Sequence, residues 1–327
     1  MRTILKRGLL TFPMALFFFC GWGYSLTLAQ VQPKTLPPNQ LRDDLRILRQ
    51  TFERAHAGLY RYTPKEQMDA AFDRVEARLN KPMTELEFFR TLAPLIDLIH
   101  DLHTTLRPSP AILKYIGKTA KVFPLDIRYV EGRAFVEKNL SPNKTIPLGA
   151  EILSINGVPM AEITKKVLTV KSADGLNRIP KYEVANVNFW INYFEMVDDS
   201  EVFKIKARDP RTGKTEQYST QGISAQVIQA GQFKVQTHDA FTLDFIKDGR
   251  VALMSIPNFG DLALSDQFAD AFRKIKEKGI QTLIIDIRDN GGGWDELNTE
   301  LLSYLVPHPF RFYKGFTFRA KDWDDLK

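Results

Sequence analysis

From Leu41 onward apolar residues recur every three or four positions, and beyond Pro108 the pattern changes to alternation. That change of period divides the chain. Leu45, Leu48, Phe52 and Ala55 share one face of a first helix. Met68, Phe72, Val75 and Leu79 do the same for a second, starting at about Pro64. Thr84-Glu85-Leu86-Glu87 has the form of a capping box and predicts a third helix running to about His100. The pattern therefore predicts a helical N-terminal domain over 40–112.

The next stretch reads as β structure. Lys121 to Tyr129 predicts a strand, Glu131-Gly132 a tight turn, and Arg133 to Lys138 the returning strand. Gly149, an alternating run to Ile155 and then Asn156-Gly157 signal a hairpin, with a short helix from about Ala161. Val202 to Ala207 and Thr215 to Ser219 are expected to pair around Pro210-Arg211-Thr212-Gly213. Lys171 to Ser200 holds Phe189, Trp190, Tyr193 and Phe194 but shows no clean period, and Gly222 to Thr237 reads as a connection. A last unit begins at Ala240. Strands Phe241 to Ile246 and Val251 to Ile256 flank Asp248-Gly249, a helix from Leu264 closes at Gly279, and a strand from Gln281 to Ile287 follows. After Gly291-Gly292-Gly293 a helix runs from Trp294 to Leu305. This order is that of an incomplete α/β core. The fold class is α/β and multi-domain, with units at 40–112, 113–238 and 239–327.

Composition narrows the class. The chain is 44% hydrophobic and 26% charged, as an ordinary folded protein is. Arg2, Lys6 and Arg7 precede an apolar run from Leu9 to Cys20, and Thr27-Leu28-Ala29 supplies small residues for cleavage. Residues 1–29 thus read as a signal peptide and 30–39 as a linker. Pro13, Gly21 and Gly23 interrupt the run, which argues against the rival reading of an uncleaved anchor. The expectation is an exported protein, periplasmic or extracellular, with no stable membrane span once the signal is removed. Loss of the three leader cations halves the formal charge of +6, and no basic cluster interleaves with aromatics, so nucleic acid is not an expected partner. The only cysteine, Cys20, sits in the leader, which leaves the mature chain without thiol or disulfide chemistry.

Candidate chemistry concentrates at the end of the last strand. Three consecutive glycines between a buried strand and a helix let backbone N–H groups face a negative charge. No His-Glu-x-x-His, no cysteine cluster and no Gly-x-Ser-x-Gly occurs, so neither a metal nor a cofactor is expected.

Asp286-Ile287-Arg288-Asp289-Asn290-Gly291-Gly292-Gly293 resembles the signature of the S41 peptidases, the tail-specific (C-terminal processing) proteases and their tricorn-like relatives. Asp101-Leu102-His103-Thr104 resembles the family's shorter Asp-x-His-Thr segment. The resemblance implies an N-terminal helical region, a PDZ-like β-rich domain and a crotonase/ClpP-like α/β core. It also implies a serine nucleophile, a base and an oxyanion hole. Gly292 is the candidate oxyanion amide, with Gly291 the alternative, and Asp286, Arg288 and Asn290 support the strand end. His103 is the candidate base if the tricorn-like branch applies, with Asp101 beside it; the processing branch uses a lysine beyond the nucleophile. The run from Leu148 to Pro159 resembles PDZ-type carboxylate loops, which places a substrate C-terminus on Leu148 and Gly149. The family's Thr-x-Ser-x-Ala-Glu segment has no counterpart, and Ser303, the only serine after Gly293, lies in a helical pattern. The expectation is an S41-type serine peptidase acting on exported polypeptides, inactive as written because the nucleophile is missing. The alternative is a non-catalytic peptide- or ligand-binding module on the same scaffold. An acyl-CoA-handling crotonase is a weaker third reading, because secretion denies it its cofactor.

Overall fold

The structure, a computed structural model, describes residues 34–231, 240–288 and 290–315. The expected signal peptide, the start of the linker, the end of the connection at 232–239, Asp289 and the tail from 316 lie outside the described residues.

The chain opens with β1 (Thr35–Leu36), α1 (Pro38–Ala55), α2 (Lys65–Arg78), β2 (Met83–Thr84) and α3 (Glu85–Asp97). The capping box forms: the Thr84 hydroxyl accepts from the Glu87 N–H, and the Glu87 carboxylate accepts from the Thr84 N–H. Leu41, Leu45, Leu59, Phe72, Leu79 and Leu95 bury the apolar faces of these helices against one another. α3 stops at Asp97, before the expected His100, which takes a left-handed φ of 57°. A further helix, α4 (Pro110–Lys118), follows where the apolar pattern predicts none. Ser109 caps it and Pro110 stands in its first turn. The boundary expected at residue 112 falls inside it.

The strand expected over 121–129 is two strands. β3 (Lys121–Val122) breaks off at Phe123-Pro124 and β4 (Leu125–Val130) resumes. Proline has no N–H to give a ladder, so the interruption has a chemical cause. β5 (Arg133–Asn139), β6 (Glu151–Ile155) and β7 (Val158–Pro159) continue the sheet, followed by α5 (Met160–Val167) and α6 (Ile179–Met196). Next come β8 (Val202–Arg208), β9 (Thr215–Gln221), β10 (Ile223–Ser224) and α7 (Ala225–Gly231), the last two inside the expected connection. The sheet runs β4-β5-β6-β8-β9 with β7 beside β6, and β3 pairs with β10 apart from it. Its inner face, including Ile127, Ile152 and Phe203, packs on α5 and α6 through Phe189 and Tyr193. α4 and α7 share a smaller core with Trp190 and Phe194 of α6.

Two asparagines blunt the edges of this sheet. On β4 the Tyr129 N–H donates to Asn186 Oδ1 of α6 at 2.7 Å, and on β9 the Ser219 carbonyl accepts from Asn143 Nδ2 at 3.0 Å. α6 is also tied to α3. The Arg90 guanidinium donates to the Phe194 and Glu195 carbonyls at 2.6 and 3.0 Å, groups that the end of a helix leaves unpaired.

The last unit comprises β11 (Thr242–Ile246), β12 (Val251–Ser255), α8 (Leu264–Glu277), β13 (Thr282–Asp286) and α9 (Asp295–Leu305). β11 and β12 are antiparallel, whereas β12 and β13 are parallel. Met254, Phe268, Leu297 and Leu301 form its core, and Gly279 follows α8 with φ 66°. The architecture is α/β and multi-domain. No helix among the described residues is long and apolar enough to cross a membrane.

Burial of Glu195 in α6 gives the fold a pH dependence. Desolvation pushes its carboxyl from an ordinary 4.5 up to about 7. Between those values the native state keeps a proton that the unfolded chain has released, so stability falls as pH rises through the window and levels off above it. Relative to the native chain, Glu195→Gln should gain roughly 3 kcal/mol on going from pH 4.5 to pH 8. Urea unfolding at both pH values measures this; an unchanged difference would mean the carboxyl is not buried as described.

Candidate active site

The glycine turn is built by two backbone segments that meet without a side chain between them. Beyond β12, the Ile256 N–H donates to the Asp286 carbonyl at 2.9 Å, which extends the parallel ladder to the end of β13. Phe259 then lies beside Gly293: its N–H donates to the Gly292 carbonyl at 2.8 Å and its carbonyl accepts from the Trp294 N–H at 2.7 Å. A Cβ on Gly293, whose φ is 150°, would overlap the Phe259 carbonyl carbon and oxygen. Only glycine fits there.

Asn290 locks the turn from inside. Its Nδ2 donates to the Ile256 carbonyl at 2.8 Å, while its Oδ1 accepts from the Gly292 N–H at 2.8 Å. The Gly292 amide expected to face an oxyanion is therefore engaged in an Asx turn. The N–H groups of Gly291 and Gly293 donate to nothing among the described residues, and both glycines are exposed. Arg288 clasps Asp286 in two parallel bonds, Nε to Oδ1 at 2.9 Å and Nη2 to Oδ2 at 2.6 Å. Asp286 also accepts from the Arg288 N–H at 3.1 Å. α9 starts immediately afterwards with Asp295 and Glu296 in its first turn. These carboxylates answer the positive end of the helix dipole, so an anion at the turn depends on the free amides.

His103 lies on a second loop. Asp101 is its hub: Oδ1 accepts from the His103 N–H at 2.8 Å, and Oδ2 accepts from the Thr104 hydroxyl at 3.1 Å. His56, at the end of α1, completes the knot. Its Nδ1 accepts from the Gly58 N–H at 3.2 Å, which leaves the proton on Nε2, 2.8 Å from Thr104 Oγ1 and 3.1 Å from Asp101 Oδ2. Burial raises the Asp101 pKa, but the His103 N–H, the Thr104 hydroxyl and the two neighbouring histidines outweigh it and hold the carboxyl below the usual range. The His103 ring itself is 88% exposed, its Nδ1 3.8 Å from Asp101 Oδ1 and beyond hydrogen-bond reach. Asp101 thus fixes the backbone that presents His103, and the ring is left free. Asp101, His103 and Asp174 each offer a ligand atom within 4.8 Å of the others, but both oxygens of Asp101 already accept donors.

The structure joins Asp286, Arg288, Asn290 and the glycines at one strand end. His103 and Asp101 bond instead to residues of their own loop and to His56 at the end of α1, and among the described residues the two loops share no partner. At the expected carboxylate cradle, Leu148 and Gly149, one of the two amides has a partner already. The Gly149 N–H is committed to the Val136 carbonyl at 2.8 Å, and Leu148 projects into solvent. On β4, Asn186 occupies the Tyr129 N–H that an added strand would use. His56 and Phe259 escaped the sequence reading, which gave Thr104 and Gly293 no role of their own. The Thr104 position was visible in the Asp-x-His-Thr run, whereas His56 lies 45 residues from Asp101 and has no local signal.

Residues 250–322 match the profile of Peptidase family S41. This segment is an S41 peptidase sequence. The fold is similar to that of mature CPAF, at 16% identity and a TM-score of 0.50, with 81% of this chain and 58% of that chain covered. It is similar also to mature CPAF complexed with lactacystin, at 15% identity and a TM-score of 0.51, covering 81% of this chain and 59% of the other. This chain therefore spans less than two thirds of the length of those solved chains. No curated protein matches the sequence.

Two substitutions probe the S41 turn. Gly293→Ala should cost more than about 3 kcal/mol in urea unfolding, because backbone must move to admit the methyl. Gly291→Ala, with nothing within 4 Å of its new Cβ, should stay within about 1 kcal/mol of the native chain. Equal costs would mean that the Phe259 contact is not made. At the other loop, Asp101→Ala strips three donors of their acceptor and should destabilise by about 2–4 kcal/mol. Faster amide exchange at His103 and Thr104 would accompany the loss; unchanged protection there would show that Asp101 does not hold the loop.

Proposed function

We propose that this chain forms part of an S41-type serine peptidase acting on exported polypeptides, in which the turn after β13 receives the scissile carbonyl. The observation that carries the reading is the uncommitted Gly291 N–H on a turn fixed by Asn290 and Phe259. Gly291 replaces Gly292 as the oxyanion donor, because the Gly292 amide is held by Asn290. A donor fixed before reaction pays no reorganisation when charge develops, and removing one costs about 100- to 1,000-fold in kcat.

His103 is the proposed general base, a free imidazole on a pinned loop that takes the proton of a serine hydroxyl. The family's Thr-x-Ser-x-Ala-Glu segment, which would carry that serine, has no counterpart in this sequence. Ser303 donates its hydroxyl to the Glu300 carbonyl within α9 at 2.6 Å, a helix-bound group on an exposed face. The chain of 327 residues is accordingly proposed to be inactive. Export, with periplasmic or extracellular residence, is part of the proposal and rests on the pattern of residues 1–29.

A fluorophosphonate probe and a casein assay test this reading. Neither labelling nor hydrolysis is expected of the chain itself, and both are expected once it is lengthened with the serine-bearing segment of an S41 core. In the lengthened chain Gly291→Pro, which removes the N–H, should lower kcat about 100-fold or more, while Gly291→Ala keeps most of it. Serine-reagent-sensitive turnover by the chain alone would overturn the nucleophile assignment. A lengthened chain that binds polypeptide without ever acylating would favour a non-catalytic binding module on this scaffold.

A further inference from the structure

A cavity of about 370 Å³ opens between the ends of α3 and α5 and the start of α6. Asp97, His100, Lys165, Leu176, Arg178 and Lys181 are among the residues that line it. Lys181 is only 9% exposed, and its ammonium is spent on Asp97 in a close ion pair. That pair makes a polar floor with no net charge. Lys165 and Arg178 differ: both are exposed, and among the described residues neither forms an ion pair or a side-chain hydrogen bond. Among the described residues Asp97 is the only acid in the lining, so these residues supply two uncommitted cations and no uncommitted anion. A concave protein wall of that kind concentrates positive potential at its mouth.

The rim adds a second character. Leu176 is 80% exposed at the mouth, an apolar surface beside the cations. The segment carrying Leu176 is also fastened to the loop that presents His103. The Gly175 N–H donates to the His100 carbonyl at 3.0 Å, and the Leu102 N–H donates to Asp174 Oδ1 at 2.8 Å. A ligand held here by Lys165 and Arg178 would lie on the elements that position His103.

We propose that this cavity is a subsite for a carboxylate of a bound polypeptide, with an apolar neighbour of that carboxylate resting on Leu176. The carboxylate comes from an Asp or Glu side chain or from the chain terminus. The identity of the ligand as polypeptide rests on the peptidase reading, but the binding does not require turnover.

Fluorescence anisotropy on the intact chain tests the subsite with three dye-labelled octapeptides of Leu and Ala. One carries an internal Glu and an amidated end, the second a free terminal carboxylate, and the third Gln and an amidated end. At least one carboxylate probe should bind ten times more tightly than the Gln probe, and which one does so identifies the source. Lys165→Ala with Arg178→Ala should abolish that preference, and Arg178→Glu should do so alone. Both side chains are exposed and unpaired, so the unfolding midpoint should stay unchanged in each variant. Equal binding of all three probes, or a preference that survives the double variant, would overturn the proposal. The peptidase reading fails separately, by lack of acylation in the lengthened chain, and that failure leaves the affinities untouched.

Discussion

The approach of Phe259 to Gly293 is the contact on which the last unit of this chain depends. Two main chains pass so closely that no side chain can stand between them, and each gives the other a hydrogen bond. Asn290 then spans the same gap with its amide, bonding Ile256 on one side and Gly292 on the other. Each bond alone contributes about 1 kcal/mol. Together they determine the turn several times over, so the amide of Gly291 is left with a direction and no partner. The glycines serve opposite ends: Gly293 is required by crowding, Gly291 stands in open space.

The sequence was most legible where one local pattern sufficed. Thr84 and Glu87 lie three residues apart, and the box they predicted formed. The strand and turn order of the last unit could be read from β-branched runs and Asp248-Gly249. α6 was hidden because Phe189, Trp190, Tyr193 and Phe194 are all buried, against two different cores, so no single apolar face stands out. Asn188 breaks its helical geometry as well. α4 was missed although Ser109-Pro110 is a fair start signal; at nine residues it completes too few turns to show a period. Partners far apart in sequence, such as His56 with Asp101 and Asn186 with Tyr129, leave no local trace at all.

The two candidate loops are stabilised by different physics. The Phe259–Gly293 crossing is held by backbone geometry and one neutral amide, so that contact carries no titrating group. The His103 loop is held by a carboxylate with a depressed pKa, and its integrity is an electrostatic matter. Acid that protonates Asp101 would loosen the His103 loop and leave that crossing intact.

Asn186 and Asn143 carry a consequence beyond the sheet they border. An open strand is a template on which any extended chain, a second copy included, can crystallise into ordered fibres. Asn186 occupies one N–H of β4 and Asn143 one carbonyl of β9, and each group so occupied is withdrawn from any strand that would lie alongside. The two outer strands are to that extent poorer seeds for such growth.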